Sequence, residues 1–514
     1  MRLFDTVSAS SRPVRRRDAG LPPVCPRRSP PVRTARLYLA GIFGLALVIR
    51  LAFFLAAEPW DLSVQQHLLL RYDPKEYHAL AVDLLHSGTL GLEGEDGTLR
   101  TPLYPLFVAA HYAVFGPRPW IVLLTQILLD GASCVLLFLL LRRLLEFRVA
   151  ALATLLLALN PTFIFHANTL YSDNLCAFLC LAGGYALARA IQYDFARGAG
   201  PALLAAGVLF GLAALTKPVV QYLPALVVLY LVIVLRGRRF RRALGLGAVF
   251  SVAFMATLSP WLARNYAQFS AVSLSTSGAL NLLILYVNPM EMDRRDLPYR
   301  AVETALLREA DSLMIRDGLD PERAHGFQKA RYWKWLARDY MARYPAAFVT
   351  HYAAGIFRSF FNPGTRGYAE MLGSAARQGF DMRSYPHPGE LFKQWLMTKS
   401  NTEIALGGLI GTYLMVVYSG LAVGLFTAWK RYRRPFLVFC LALAAYLILI
   451  TGTAGQARFM MPAMPFYLAF SAAGFVWLRD RRRSARRGHS PGAGDLPPVE
   501  WTALAARIEE KETI

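Results

Sequence analysis

Apolar runs of about twenty residues recur along this chain, separated by short polar clusters rich in Lys and Arg. Each run is long enough to cross roughly 30 Å of hydrocarbon as a helix, and nothing alternates apolar and polar residues as barrel strands do. The pattern predicts spans at 36–57, 120–141, 149–168, 174–192, 200–216, 219–235, 243–262, 404–429, 436–452 and 459–478. The expected fold is therefore all-α, a polytopic membrane bundle of roughly ten transmembrane helices.

The basic clusters orient the bundle. Residues 1–35 form an Arg-, Pro- and Ser-rich tail without apolar period, expected to be disordered and cytoplasmic, and too Arg-dense for a simple cleaved signal peptide. With that end inside, Arg142, Arg143 and Arg148, the run RGRRFRR at 236–242, KRYRR at 430–434 and RDRRRSARR at 479–487 all fall on the cytoplasmic side. Counting TPLYPLFVAAHYAVFG (101–116) as a span would export four of these clusters, so it reads as an interfacial or re-entrant piece. The segment 344–361 reads as an external amphipathic surface helix.

The resulting organisation is a cytoplasmic tail (1–35), a seven-span module (36–262) with an external loop at 58–119, a long external region (263–403), carboxyl-terminal spans (404–478) and a second cytoplasmic tail (479–514). Within that last tail, 501–512 reads as a frayed end or a short partner-binding helix.

Composition narrows the class. At 55% hydrophobic and 18% charged the chain is not a soluble protein. Its net charge of +22 therefore signals topology rather than nucleic acid. Cys25 lies in the polar tail, while Cys134, Cys176, Cys180 and Cys440 lie in apolar runs, which excludes a disulfide framework and a Cys-based metal site. The spacings Gly407/Gly411 and Gly420/Gly424 suit close helix packing.

Candidate chemistry lies on the external side. Asp73-Pro74-Lys75-Glu76 has the form of a helix start, with Asp73 as cap, Tyr77, Leu80, Ala81, Leu84 and Leu85 at helical spacing and Gly88 as stop. Asp173, in LYSDN, also reads as a cap, yet topology brings both carboxylates to one side, where they could share a pocket. Arg100, Lys217, Arg264 and Arg458 emerge at the same level; each suits a snorkelling side chain or a phosphate clamp. Asp130 falls mid-span, where a carboxylate is costly, and His78, His111 and His166 show no metal-ligand spacing.

RYDPKEYHALAVDLLHSG, RTPLYPLFVAAHYAVFG, LYSDN, LTKP, SPWLARNY and ARFMMPAMPF occur in the order and spacing of the GT-C superfamily of polyprenyl-phosphate-sugar glycosyltransferases. Over residues 36–478 the chain resembles the dolichyl-phosphate-mannose protein mannosyltransferases and the lipid A aminoarabinose transferase. The resemblance implies a GT-C-type bundle with interfacial helices in the first external loop. It makes Asp73 the base or acceptor-orienting group and Asp173, where relatives often carry Glu, the second acid. It assigns substrate binding to Tyr77, Arg100, Lys217, Arg264 and Arg458. A divalent metal ion is the one cofactor it allows, with Asp73 and Asp173 as ligands, although Leu99 stands in the approximate place of a metal-ligating Glu of the aminoarabinose transferase.

The expected function is inverting transfer of a sugar from a polyprenyl-phosphate donor to a hydroxyl of a lipid, glycan or protein acceptor. The expected setting is the outer face of a bacterial inner membrane, with membrane lipids and without nucleic acid as partners. The alternatives are a lipid-linked sugar transporter or flippase, against which no repeat between the halves is found, and a non-catalytic assembly protein.

Overall fold

The computed structural model describes residues 32–70, 72–91, 96–192, 199–235, 240–362, 364–374, 399–431, 435–452 and 455–486. The basic tail up to residue 31, residues 236–239 and 432–434 of two basic clusters, and residues 487–514 with the segment 501–512 lie outside them. Every regular element among the described residues is a helix. The expected spans coincide with helices or helix pairs, from Val32–Ala57 through Pro119–Arg142 to Met464–Arg486. Five are long and apolar enough to cross a membrane, and six if one bent pair is joined. The protein is a multi-pass, all-helical membrane protein.

Leu103–Phe115, the helix of the ambiguous segment, has 13 residues, or about 20 Å of length, too short to cross. It packs on Asp73–Ser87, with the Tyr77 and Tyr104 rings edge to face at 4.7 Å and His78 hydrogen-bonded to the Tyr112 hydroxyl at 2.8 Å. Close packing is real for one of the two glycine pairs. A Cβ at Gly424 would collide with the Phe470 carbonyl and one at Gly420 with the Phe475 ring, so the helix Asn401–Arg431 meets Met464–Arg486 backbone to backbone. At Gly407 a Cβ would meet only Thr365 at 3.8 Å, an ordinary van der Waals distance, and at Gly411 nothing, so that spacing marks no close backbone approach.

The bent pair is Phe147–Ala158 followed by Pro161–Ala167, turned by 51°. Pro161 has no N–H to continue the helix, so carbonyls at the break need other donors. Arg50, from the middle of the first span, donates to Ala158 at 2.7 Å; Tyr413 donates to Leu156 at 2.8 Å, and the Tyr368 hydroxyl bonds to Pro161. Arg50 also pairs with Asp130, both fully buried. Asp130, expected to fall mid-span, is thus one half of an intramembrane ion pair whose other half is Arg50.

The helices form one large hydrophobic core. A second core, built around Leu283, Val287, Val302, Leu306 and Leu336, holds together the region that follows the seventh expected span. The two ends of the bundle are separate in their polar contacts. Arg148 pairs with Asp480, both expected on the cytoplasmic side, whereas the expected external acids pair only with expected external cations among the described residues.

Candidate active site

The Asp73 helix does not begin as the local pattern suggests. Tyr72 occupies the cap position without a side-chain cap bond, and the Asp73 carboxylate turns away from its own backbone. Its Oδ1 accepts from Arg100 Nη2 at 2.9 Å and its Oδ2 from Arg458 Nη1 at 2.8 Å. Two guanidinium partners 27 and 385 residues away outcompete a local N–H. Glu76, one turn on and on the same face, takes Arg100 Nε at 2.7 Å.

Asp173 opens its helix but also does not cap it. Its Oδ1 pairs with Lys217, while Oδ2 is buried without a hydrogen-bond partner. Pro218 stops the preceding helix and leaves Lys217 extended, aiming its side chain at that carboxylate. The Thr101 hydroxyl donates to the Thr216 carbonyl at 2.9 Å, tying the segment of Arg100 to that of Lys217. Phe459 lies under Lys217 at 4.8 Å and under Arg458 at 4.7 Å; Arg458 also stacks on Tyr171 at 4.4 Å.

Tyr77 joins the two acids' surroundings. Its hydroxyl lies 3.1 Å from Ser172 Oγ, next to Asp173, and its ring lies under Arg100 at 5.2 Å. Behind it the buried Gln126 accepts from Tyr104 at 2.7 Å and donates to the Thr169 carbonyl at 2.8 Å, fixing the turn ahead of Asp173. Six expected site residues therefore belong to one cluster: Asp73, Asp173, Tyr77, Arg100, Lys217 and Arg458. Arg264 is held differently. It stacks between Trp261 and Phe269 and donates to the carbonyls of Asp96 (3.4 Å) and Leu90 (3.5 Å), a clamp on the loop after the Asp73 helix.

With Asp73, Glu76 and Asp173 against Arg100, Lys217 and Arg458, the cluster carries three formal charges of each sign. Burial pushes the Asp73 carboxyl up, but Arg458 and Arg100 outweigh it and hold the group well below the usual carboxylate range. Burial raises the Tyr171 phenol to about 12, so it remains a neutral hydrogen-bonding group. The depressed Asp73 value stabilises the fold above the ordinary carboxylate pKa near 3.9, and the contribution drains away below it. The melting-temperature gap between wild type and Asp73→Asn in detergent is expected to hold from pH 7 to about pH 5 and to narrow below roughly pH 4. A gap that widened on acidification would contradict the two-arginine clamp.

The metal expected at the two aspartates finds a poor donor set. Both Asp73 oxygens and one Asp173 oxygen already face cations, and among the described residues no group of three or more His, Cys, Asp and Glu side chains can hold an ion. The residues present do not fit a divalent cation.

Beside the cluster opens a cavity of about 550 Å³, a size suited to a small polar ligand. Pro74 and Arg458 bring it to Asp73; His166 and Tyr171 line a second wall, and Arg366 and Lys399 a third. The last two pair with Glu370 and Glu403. Sequence reasoning missed this third wall, because NPGTRGYAEM has neither a span nor a repeating polar pattern, and it missed Glu76 as the second partner of Arg100. Tyr72 also lines the cavity, 69% exposed, with φ 56° and ψ −133°. For a residue with a Cβ such a backbone costs about 1–3 kcal/mol.

A family model described as dolichyl-phosphate-mannose-protein mannosyltransferase matches residues 99–263. Over that segment the chain is similar to dolichyl-phosphate-mannose-protein mannosyltransferases. The matched segment carries Arg100, Asp173 and Lys217. A comparison with curated protein sequences gives no match. Among solved structures, the archaeal oligosaccharyltransferase AglB from Archaeoglobus fulgidus, in complex with an inhibitory peptide and a dolichol-phosphate, aligns at 13% identity over 93% of this chain and 54% of that one, with a TM-score of 0.47. ArnT from Cupriavidus metallidurans bound to undecaprenyl phosphate aligns at 16% identity over 88% and 79%, with a TM-score of 0.41. The chain thus spans about half the length of the archaeal enzyme.

Proposed function

We propose that this protein is a membrane glycosyltransferase that moves a sugar from a polyprenyl-phosphate carrier to an acceptor hydroxyl, at the face of a bacterial inner membrane turned away from the cytoplasm. The observation that carries the reading is the convergence of Asp73 and Asp173, from distant segments, with Arg100, Lys217 and Arg458 in one cluster, whose Arg458 lines the adjoining cavity. The match to a mannosyltransferase family model supports the same chemistry.

Asp73 stays ionised at any working pH and can accept the acceptor hydroxyl's hydrogen. The acceptor oxygen bonds to the anomeric carbon as that carbon's bond to the phosphate oxygen breaks, with inversion. The electron pair leaves on the lipid phosphate and the proton passes to Asp73. While both arginines hold it, Asp73 is a weak base. Arg458 also faces the cavity, so a donor phosphate that draws this guanidinium away removes one of the two counter-charges and raises the basicity of Asp73 with donor in place.

The test is incubation of reconstituted protein with radiolabelled polyprenyl-phosphate hexose or pentose and an envelope extract. Label leaving the carrier for an acceptor is the expected result; carrier lipid that only crosses the bilayer unconsumed points instead to a flippase and ends the transferase reading. Because the donor set does not fit a divalent cation, transfer is expected to keep more than half its rate in excess EDTA, and loss restored by added metal would refute that expectation.

A further inference from the structure

We infer that Tyr72 is a specificity-determining residue whose ring supports the apolar C–H face of the transferred sugar beside Asp73. The inference rests on the glycosyltransferase reading above and deepens it. Tyr72 lines the cavity and, as a residue 69% exposed, contributes little to the core. Yet its backbone takes a φ of 56° with ψ −133°, a combination that glycine reaches without strain. Strain of this kind, one residue ahead of a carboxylate clamped by two arginines, persists where the surroundings impose it, and it is here spent on aiming a ring.

The cavity wall that the ring joins combines aromatic faces, Tyr171 and Phe165, with the cations Arg458, Arg366 and Lys399. Rings that stack on C–H surfaces, next to groups that pair with phosphate, match a ligand that is sugar at one end and phosphate at the other. The same turn that sets Asp73 between its arginines therefore also sets the platform, so sugar recognition and the reacting carboxylate share one backbone segment.

The experiment measures donor KM and kcat with a radiolabelled polyprenyl-phosphate sugar for reconstituted wild type, Tyr72→Phe, Tyr72→Ala and Tyr72→Gly, with melting temperatures alongside. Tyr72→Phe is expected to stay within about threefold of wild type. Tyr72→Ala and Tyr72→Gly are expected to raise donor KM at least tenfold with a smaller change in kcat, even though the glycine variant relieves the strain and melts higher. A glycine variant that melts higher and keeps its donor KM would make Tyr72 a structural accident and overturn the inference while leaving the transferase reading intact. A rise confined to acceptor KM overturns it as well. Wild-type protein that turns over no polyprenyl-phosphate sugar overturns both.

Discussion

Asp73→Asn is expected to lower kcat by about 10²- to 10⁴-fold, the range lost when a positioned general base is removed. Asn has nearly the shape of Asp, so the substitution removes charge and proton affinity rather than bulk. The same change should not weaken donor binding. The cluster is neutral as it stands, and removing one carboxylate leaves a net positive charge with Arg458 released toward the cavity. Donor KM is therefore expected to stay level or fall while kcat collapses, a split that general misfolding would not produce. Transfer of label from polyprenyl-phosphate sugar in proteoliposomes, with melting temperature as the folding control, reads both quantities. An Asp73→Asn protein within tenfold of the wild-type kcat would remove this carboxylate from the chemistry, and the proposed reaction with it.

The fold was legible because hydrocarbon imposes one length and one backbone solution on every crossing segment. The helices fall where the apolar runs fall. The site was legible in its members and not in its bonds. Asp73 and Asp173 both carry local signals for capping, and neither caps, because Arg100, Arg458 and Lys217 reach them from other segments. Periodicity says nothing of partners hundreds of residues away. Arg264 followed the same positional argument as Arg458 and has a different task, clamping the carbonyls of Leu90 and Asp96. The cavity wall at Arg366 and Lys399 is drawn from two stretches 33 residues apart with no shared pattern, so only tertiary structure reveals it. Arg50 escaped notice because a single charge does not interrupt an apolar run in any window average, although a lone intramembrane arginine always raises the question of its partner.

Arg50→Ala is expected to be the most destabilising single substitution in the membrane core. Arg50 and Asp130 are both fully buried; removing one leaves the other as an uncompensated charge, which costs about 3–5 kcal/mol. The loss does not end with the pair. Arg50 also donates to Ala158 at the end of Phe147–Ala158, so its removal strips a donor from the break ahead of Pro161. That break aims the short helix Pro161–Ala167, and the turn after it leads directly to Tyr171, Ser172 and Asp173. Activity should therefore fall together with stability, through displacement of Asp173 rather than through any contact with substrate. The double variant Arg50→Leu with Asp130→Leu separates the two effects. With no charge left unpaired it should regain most of the melting temperature in detergent, because well-packed apolar residues often replace a buried pair without loss. It still lacks the donor to Ala158, so its activity should remain below wild type. If the double variant melted as low as Arg50→Ala, the unpaired charge would not be the source of the cost; if it recovered full activity, the bond to Ala158 would have no part in placing Asp173.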